Sequence, residues 1–257
     1  MSIKFIILGC GSSMGVPSTD GFFGSCDPKN KKNYRTRCSA LIKFYNQNML
    51  IDSSPDLRQQ LLKNNIKSID RVFYTHLHAD QTHGINDLRV FYLRKKKKTP
   101  VYADQKTKKF LSSTFKYCFT PTNEYPAILR FKKIKKELFF KYKNKKISIV
   151  NVSVKHGKIN SLCYIINKKL AYASDTNLIF KKDLQLFKNL DFLVIDCLRF
   201  KKHPSHYNLD QILELVKNVK PKKTILTNML TDFDYIKLKK ILPKNIVPGY
   251  DGMTLDL

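Results

Sequence analysis

One stretch constrains this chain more than any other: Arg71-Val72-Phe73-Tyr74-Thr75-His76-Leu77-His78-Ala79-Asp80-Gln81-Thr82-His83-Gly84. It begins as an apolar strand and passes directly into a run that holds three of the six histidines within eight residues. Two imidazoles at i and i+2 leaving a strand end can both face one cleft, and neutral imidazole is a good zinc ligand. Asp80 adds an oxygen donor or a base, and Gly84 permits a close approach where the next helix begins. The chain must therefore build a sheet whose edge opens onto a polar cleft.

The rest of the sequence supplies strands for such a sheet. Short apolar runs recur at Phe5–Leu8, Ala40–Tyr45, Met49–Ile51, Arg71–Thr75, Pro100–Tyr102, Ile147–Val154, Leu162–Ile166, Leu170–Ala173, Phe192–Ile195 and Thr224–Thr227. Helical patterns lie between them. Ser54-Pro55-Asp56 reads as an N-cap followed by proline at the first helical position, leading to Leu57, Leu61 and Leu62. Leu209, Ile212, Leu213 and Val216 recur at helical spacing after Ser205. Hairpin-like runs between 145 and 173, with βα units elsewhere, predict two mixed sheets covered by helices in one domain over 1–257. An apolar content of 42% with 12% aromatic residues excludes a disordered chain.

Other classes fall away on simple grounds. No apolar run approaches the roughly 20 residues that span a bilayer, so no membrane partner is expected. Met1–Gly9 has too short an apolar stretch for a signal peptide and lacks a small-residue cleavage site, which predicts a first strand in a cytoplasmic protein. The six cysteines form no C-x-x-C pair, which speaks against a disulfide framework and a cysteine-type zinc site. The formal net charge is +28, written with 40 lysines and only eight arginines. Such a bias is what an AT-rich genome leaves at surface positions, and it is equally a field that draws in phosphates. Bidentate phosphate recognition prefers arginine, so nucleic acid is not the favoured partner.

The histidine run resembles the H-x-H-x-D-H-x-x-G signature of the metallo-β-lactamase superfamily. Further stretches narrow the resemblance to the PhnP-like phosphodiesterases: Leu8-Gly9-Cys10-Gly11-Ser12-Ser13-Met14-Gly15, Arg37-Cys38-Ser39-Ala40-Leu41, Leu50-Ile51-Asp52, Gly84–Arg89, Ser174-Asp175-Thr176, Ile195-Asp196-Cys197 and Gly249–Met253. The resemblance implies an α/β fold of αββα four-layer sandwich type. It also implies a metal centre at the sheet edges and hydrolysis of a phosphodiester, such as a cyclic ribose phosphate or nucleotide, by metal-activated water. Carried over, one metal site takes His76, His78 and His156, with Asp175 as the carboxylate that bridges two metals in the family. His206 matches the general acid before a late helix, and Asp80 orients or accepts a proton from the nucleophile. Arg199, Ser12 and Ser13 are expected phosphate contacts.

The second metal site departs from the signature. Gln81 stands where the family has histidine, and the turn Leu226-Thr227-Asn228-Met229-Leu230-Thr231 lacks the histidine expected there. Asp80, Asp175 and the Gln81 carbonyl could form an oxygen-rich site suited to Mn²⁺ or Mg²⁺ rather than Zn²⁺. The alternative is an enzyme with one tightly held Zn or Mn ion. The cysteine cluster that holds a structural zinc in some PhnP-type enzymes is absent. Three readings compete: a small-molecule phosphodiesterase, an RNA-processing nuclease of the same superfamily, and a non-catalytic nucleotide-binding protein; a homodimer stays open in each.

Overall fold

Alternation along the strands decides the layers. The computed structural model describes residues 3–257, so Met1 and Ser2 of the expected first strand lie outside the described residues. In β1 (Lys4–Gly9), Phe5 and Ile7 face one side and Ile6 and Leu8 the other, all four buried. The same two-sided burial recurs in β2 (Ser39–Phe44), β3 (Gln47–Ile51) and β4 (Arg71–Phe73). A sheet apolar on both faces needs cover on both. On one face Ile42, Met49, Ile51 and Phe73 join a cluster shared with a second sheet; on the other Leu41, Leu50 and Val72 lie under helices.

The first sheet is completed by β5 (Thr99–Tyr102), β6 (Leu129–Phe131) and β14 (Thr254–Asp256), in the order β14-β1-β2-β3-β4-β5-β6. The second contains β7 (Glu137–Tyr142), β8 (Lys145–His156), β9 (Ile159–Ile166), β10 (Leu170–Ala173), β11 (Phe192–Asp196), β12 (Lys223–Thr227) and β13 (Ile246–Pro248). Its order is β13-β12-β11-β10-β9-β8-β7. Both sheets follow one plan. Strands β14, β1, β2 and β3 pair antiparallel, and β3 through β6 pair parallel. Strands β7 through β10 pair antiparallel, and β10 through β13 parallel.

Helices close the two outer faces. Over the first sheet lie α1 (Leu57–Lys63), α2 (Ala79–Thr82), α3 (Arg89–Lys95), α4 (Gln105–Thr114) and α5 (Lys116–Phe119), contributing Leu57, Leu61, Phe91, Leu111 and Cys118 to the outer cluster. Over the second lie α6 (Leu209–Val219) and α7 (Tyr235–Ile241). Asn208 caps α6 by accepting from the Gln211 amide, while the Gln211 side chain answers at the Asn208 N–H, a reciprocal capping box. The result is the expected αββα sandwich.

Local differences have physical reasons. Helix α1 begins at Leu57, not at Pro55, because the Ser54 hydroxyl and carbonyl accept from the Asp56 and Leu57 amides and hold a turn there. The β4 ladder stops at Phe73, and Thr75 leaves it to bond Asp52 instead. Strands β6, β13 and β14 have three residues each, too few to show a period, and β7 is a partly exposed edge.

The histidine-bearing turn is clamped from below. The Gly84 N–H donates to the Ser53 carbonyl at 2.9 Å, and the Ser53 N–H donates to the Gln81 carbonyl at 2.8 Å. A Cβ on Gly84 would lie 1.9 Å from the Ser54 carbonyl oxygen. Gly84→Ala should therefore cost about 2–3 kcal/mol, since overpacking must move backbone here. Thermal unfolding should show a midpoint lowered by roughly 5–10 °C; an unchanged midpoint would mean that the turn is not tightly seated.

Candidate metal centre

Parallel strands deliver their C-terminal ends to one edge of the sandwich, and the chemistry collects there. Strand β3 runs into Asp52, β4 into His76 and His78, β10 into Asp175 and β12 into Asn228; β11 ends in Asp196. His156 is the last residue of β8. Asp52 and Asn228 both carry positive φ, 61° and 60°. Asx residues tolerate that region better than other side chains, and strained backbone collects at functional sites.

The three imidazoles converge on one point. His78 Nδ1 lies 2.9 Å from His76 Nε2 and 3.3 Å from His156 Nε2. The outer nitrogens are held by neighbours. His76 Nδ1 lies 3.0 Å from the Thr75 hydroxyl, whose own proton goes to Asp52 Oδ2 at 2.8 Å. The Thr75 oxygen is thus left to accept, so His76 keeps its proton on Nδ1. His156 Nδ1 donates to the Ser205 carbonyl at 2.8 Å. Both Nε2 lone pairs consequently face the gap. Burial pushes the pKa of His76 down to about 3, and burial first also lowers His78 and His156. Neutral imidazoles with converging lone pairs are the donor set of a zinc-type ion, whose tetrahedral nitrogens sit roughly 3.3 Å apart. The residues fit a metal.

The neighbouring position is built differently. Gln81 Nε2 donates to Asp175 Oδ2 at 3.0 Å and to Asp80 Oδ2 at 3.2 Å. Asn228 Nδ2 donates to Asp175 Oδ1 at 3.2 Å. The expected oxygen-rich site had the Gln81 carbonyl turned to a cation; here the amide nitrogen faces both carboxylates. Neutral N–H groups thus occupy the space between Asp80 and Asp175. Burial raises Asp80 to about 7, and the nearby Asp175 adds to the rise. Asp175 stays below the usual carboxylate range: burial opposes its charge, but the surrounding His76, His156 and His206, of which only His206 is held protonated, favour it.

Across the cleft stands His206, two residues before the cap of α6. Its Nδ1 lies 2.6 Å from Asp196 Oδ2, and Asn228 Nδ2 lies 3.2 Å from the same nitrogen. Burial disfavours the imidazolium, yet the adjoining Asp196 carboxylate outweighs it and pushes the pKa up to about 9. The cleft has a volume of about 370 Å³, and its walls include Ser12, Ser13, His78, Asp80, His156 and Asp175 as well as Arg199, His203 and His206. His76 and Gln81 lie buried beneath it. The Arg199 guanidinium donates to the carbonyls of Lys201 and Lys202, so part of it is committed to its own loop. His83 turns away to pack on Phe110 and Phe115. His203 accepts from Ser205 beside His206.

Known proteins share this fold. A family model described as the beta-lactamase superfamily domain matches residues 47–229, which hold the histidine triad and the turn at Asn228. A solved diphosphatase of the PhnP family is 29% identical, covers 100% of this chain and 98% of its own, and superposes with a TM-score of 0.90. The chain belongs to the metallo-β-lactamase superfamily, in its PhnP-like branch. Zn²⁺-bound PqqB from Methylobacterium extorquens shares the fold at 17% identity, 99% and 100% coverage and a TM-score of 0.80. So does the short form of human tRNase Z, at 17% identity, 98% coverage of both chains and a TM-score of 0.68. An octanoyltransferase from Porphyromonas gingivalis is 30% identical over 256 residues, 98% of this chain and 51% of that protein. The chain thus spans about half the length of that curated relative.

Sequence reading passed over several contributors. Thr75 and the Ser205 carbonyl, which fix two tautomers, belong to no ligand pattern. Asn228 was visible only as a missing histidine, and Asp196 only as part of a strand-end motif. Thr75→Val should weaken metal affinity about 10–100-fold by removing the acceptor for His76 Nδ1. His76→Ala or His156→Ala should abolish tight binding. Chelator competition and metal analysis read both, and unchanged stoichiometry in the histidine variants would refute the ligand assignment.

Proposed function

We propose that this chain is a metal-dependent phosphodiester hydrolase acting on a small anionic substrate, a cyclic ribose phosphate or a nucleotide. The observation that carries the reading is the His206–Asp196 pair set across one cleft from three metal-competent imidazoles. Similarity to a PhnP-family diphosphatase supports it. His76, His78 and His156 would hold one Zn²⁺ or Mn²⁺, with Asp175 alongside. A bound divalent ion would supply an activated water and neutralise charge on the phosphate. The protein supplies the rest. Asp196 orients His206 and keeps a proton on it, leaving Nε2 to protonate the departing oxygen. Asp80, with a pKa near neutrality, is placed to accept a proton from the attacking water. Ser12 and Ser13 wall the cleft where a phosphate would sit.

Gln81 and Asn228 point to a single tight metal. The N–H groups that a second cation would have to displace already satisfy Asp80 and Asp175. Protein purified without chelator should hold about one tight equivalent per chain. Gln81→His combined with Asn228→His should raise this toward two by restoring imidazole donors. Two tight equivalents in the unaltered protein would overturn the one-metal reading.

A nuclease reading draws on the basic charge and on the shared fold of tRNase Z. Competition by tRNA against mononucleotides separates the two. Acyl transfer, suggested by the name of the longer relative, draws less support from the serine and cysteine side chains among the described residues. The Ser12 hydroxyl has no hydrogen-bond partner among the described residues, and all six cysteines are buried.

His206 is tested through the leaving group. A ribose hydroxyl must be protonated as it leaves, whereas a nitrophenolate hardly needs to be. His206→Ala should slow a ribose phosphodiester about 10²–10⁴-fold while largely sparing a nitrophenyl phosphodiester. Metal content should not change, and His203→Ala should do far less on either substrate. Equal losses on both substrates would point to metal ligation instead.

A further inference from the structure

A second cavity adjoins the metal cleft. Its volume is about 450 Å³, within the range of small-molecule sites, and it lies between the loop Met14–Thr19, the segment Tyr34–Arg37 and helix α1. Met14 lines both spaces and is 56% exposed, so one flexible thioether side chain stands at their common border. The two spaces thus meet at one movable side chain.

The charges facing the cavity are not equivalent. Arg35 is fully buried, and its guanidinium is committed to the Leu230 and Phe233 carbonyls and to Asn33. Arg37 lies 3.5 Å from Asp56, which also accepts from the Arg37 N–H and from Gln59. Asp251 is turned inward, accepting from Thr36 and from the Cys10 N–H. Lys63, on the last turn of α1, makes no ion pair within 4 Å among the described residues, although its charge is felt by the buried Asp251. Tyr34, 45% exposed and packed edge-on against Phe23, also lines the cavity. Three cations, Arg35, Arg37 and Lys63, face two carboxylates, Asp56 and Asp251, so this lining carries one positive charge in excess together with an aromatic ring, the pairing that recognises a base with its own phosphate.

We propose that this cavity is a second substrate subsite, which holds a phosphate-bearing nucleotide portion with Lys63 on the phosphate and Tyr34 against the base. The assignment deepens the phosphodiesterase reading and rests on it for its catalytic consequence. The favoured substrate is then a diester whose far side carries another phosphate, and Met14 lies along the path between the two.

Turnover and binding test the proposal separately. The dinucleotides pApA and ApA differ only in the terminal phosphate. The protein should favour pApA about tenfold in kcat/KM, through KM. Lys63→Ala should erase that preference and leave ApA and bis(4-nitrophenyl) phosphate unchanged. Tyr34→Ala should weaken both dinucleotides but not the nitrophenyl diester. Adenosine 5′-monophosphate binding, followed by calorimetry in the His76→Ala background, reads the subsite without turnover and without a metal-held phosphate. It should weaken about tenfold when Lys63→Ala is added and stay within about threefold when the surface control Lys97→Ala is added. No AMP binding in the His76→Ala background, or no loss on adding Lys63→Ala, would overturn the subsite. Absence of all diesterase activity with AMP binding retained at Lys63 would instead refute the catalytic reading alone.

Discussion

A chain of hydrogen bonds from Asp52 through Thr75 to His76 underlies the candidate metal centre. Asp52 accepts from both the amide and the hydroxyl of Thr75, at 2.7 and 2.8 Å, and so ties the ends of two neighbouring parallel strands together. With the threonine proton spent there, its oxygen can only accept, and the imidazole behind it must present a bare nitrogen forward. One buried carboxylate thereby sets strand spacing, tautomer and ligand direction together. Burial raises the pKa of Asp52 well above the ordinary carboxylate value, so holding it ionised is costly, and the two Thr75 donors are what favour the charge.

The layers were legible because they depend on periodicities of side chains that are hard to disguise. Phe5 to Leu8 alternate into two separate clusters, and Leu209 to Val216 keep a helical spacing against the second sheet. The histidine triad was legible because its first two members lie two residues apart at a strand end. His156 and Asp175 stand alone in the sequence, and resemblance rather than spacing identified them. Asn228, Thr75 and the Ser205 carbonyl were illegible for a different reason. Their contribution is a hydrogen bond to a residue distant in sequence or a backbone atom, and residue identity does not reveal such a bond. The orientation of Gln81 belongs here too, since an amide offers oxygen and nitrogen alike and only its neighbours decide which one faces inward.

The two carboxylates beside the triad show how a fold tolerates a changed donor set. Asp80 and Asp175 repel one another in a buried place, and a cation would relieve both. Amide N–H groups from Gln81 and Asn228 relieve them in part without adding net charge, and His206 adds a positive charge from the far side. In the proposed one-metal reading, side chains rather than a second ion would set the local field near the cleft.

The pairing of β14 with β1 has a consequence for how the protein is made. Asp251 bonds Cys10 across a separation of 241 residues, and the Gly252 amide reaches the Ile7 carbonyl. During synthesis the first strand leaves the ribosome long before its outer neighbour exists. Until residues 249–256 emerge, one side of β1 stays open as a bare sheet edge, and the loop that walls the cleft lacks its anchor. Such long-range closure is slow and leaves a sticky intermediate. The cleft would therefore be among the last parts of this fold to take shape.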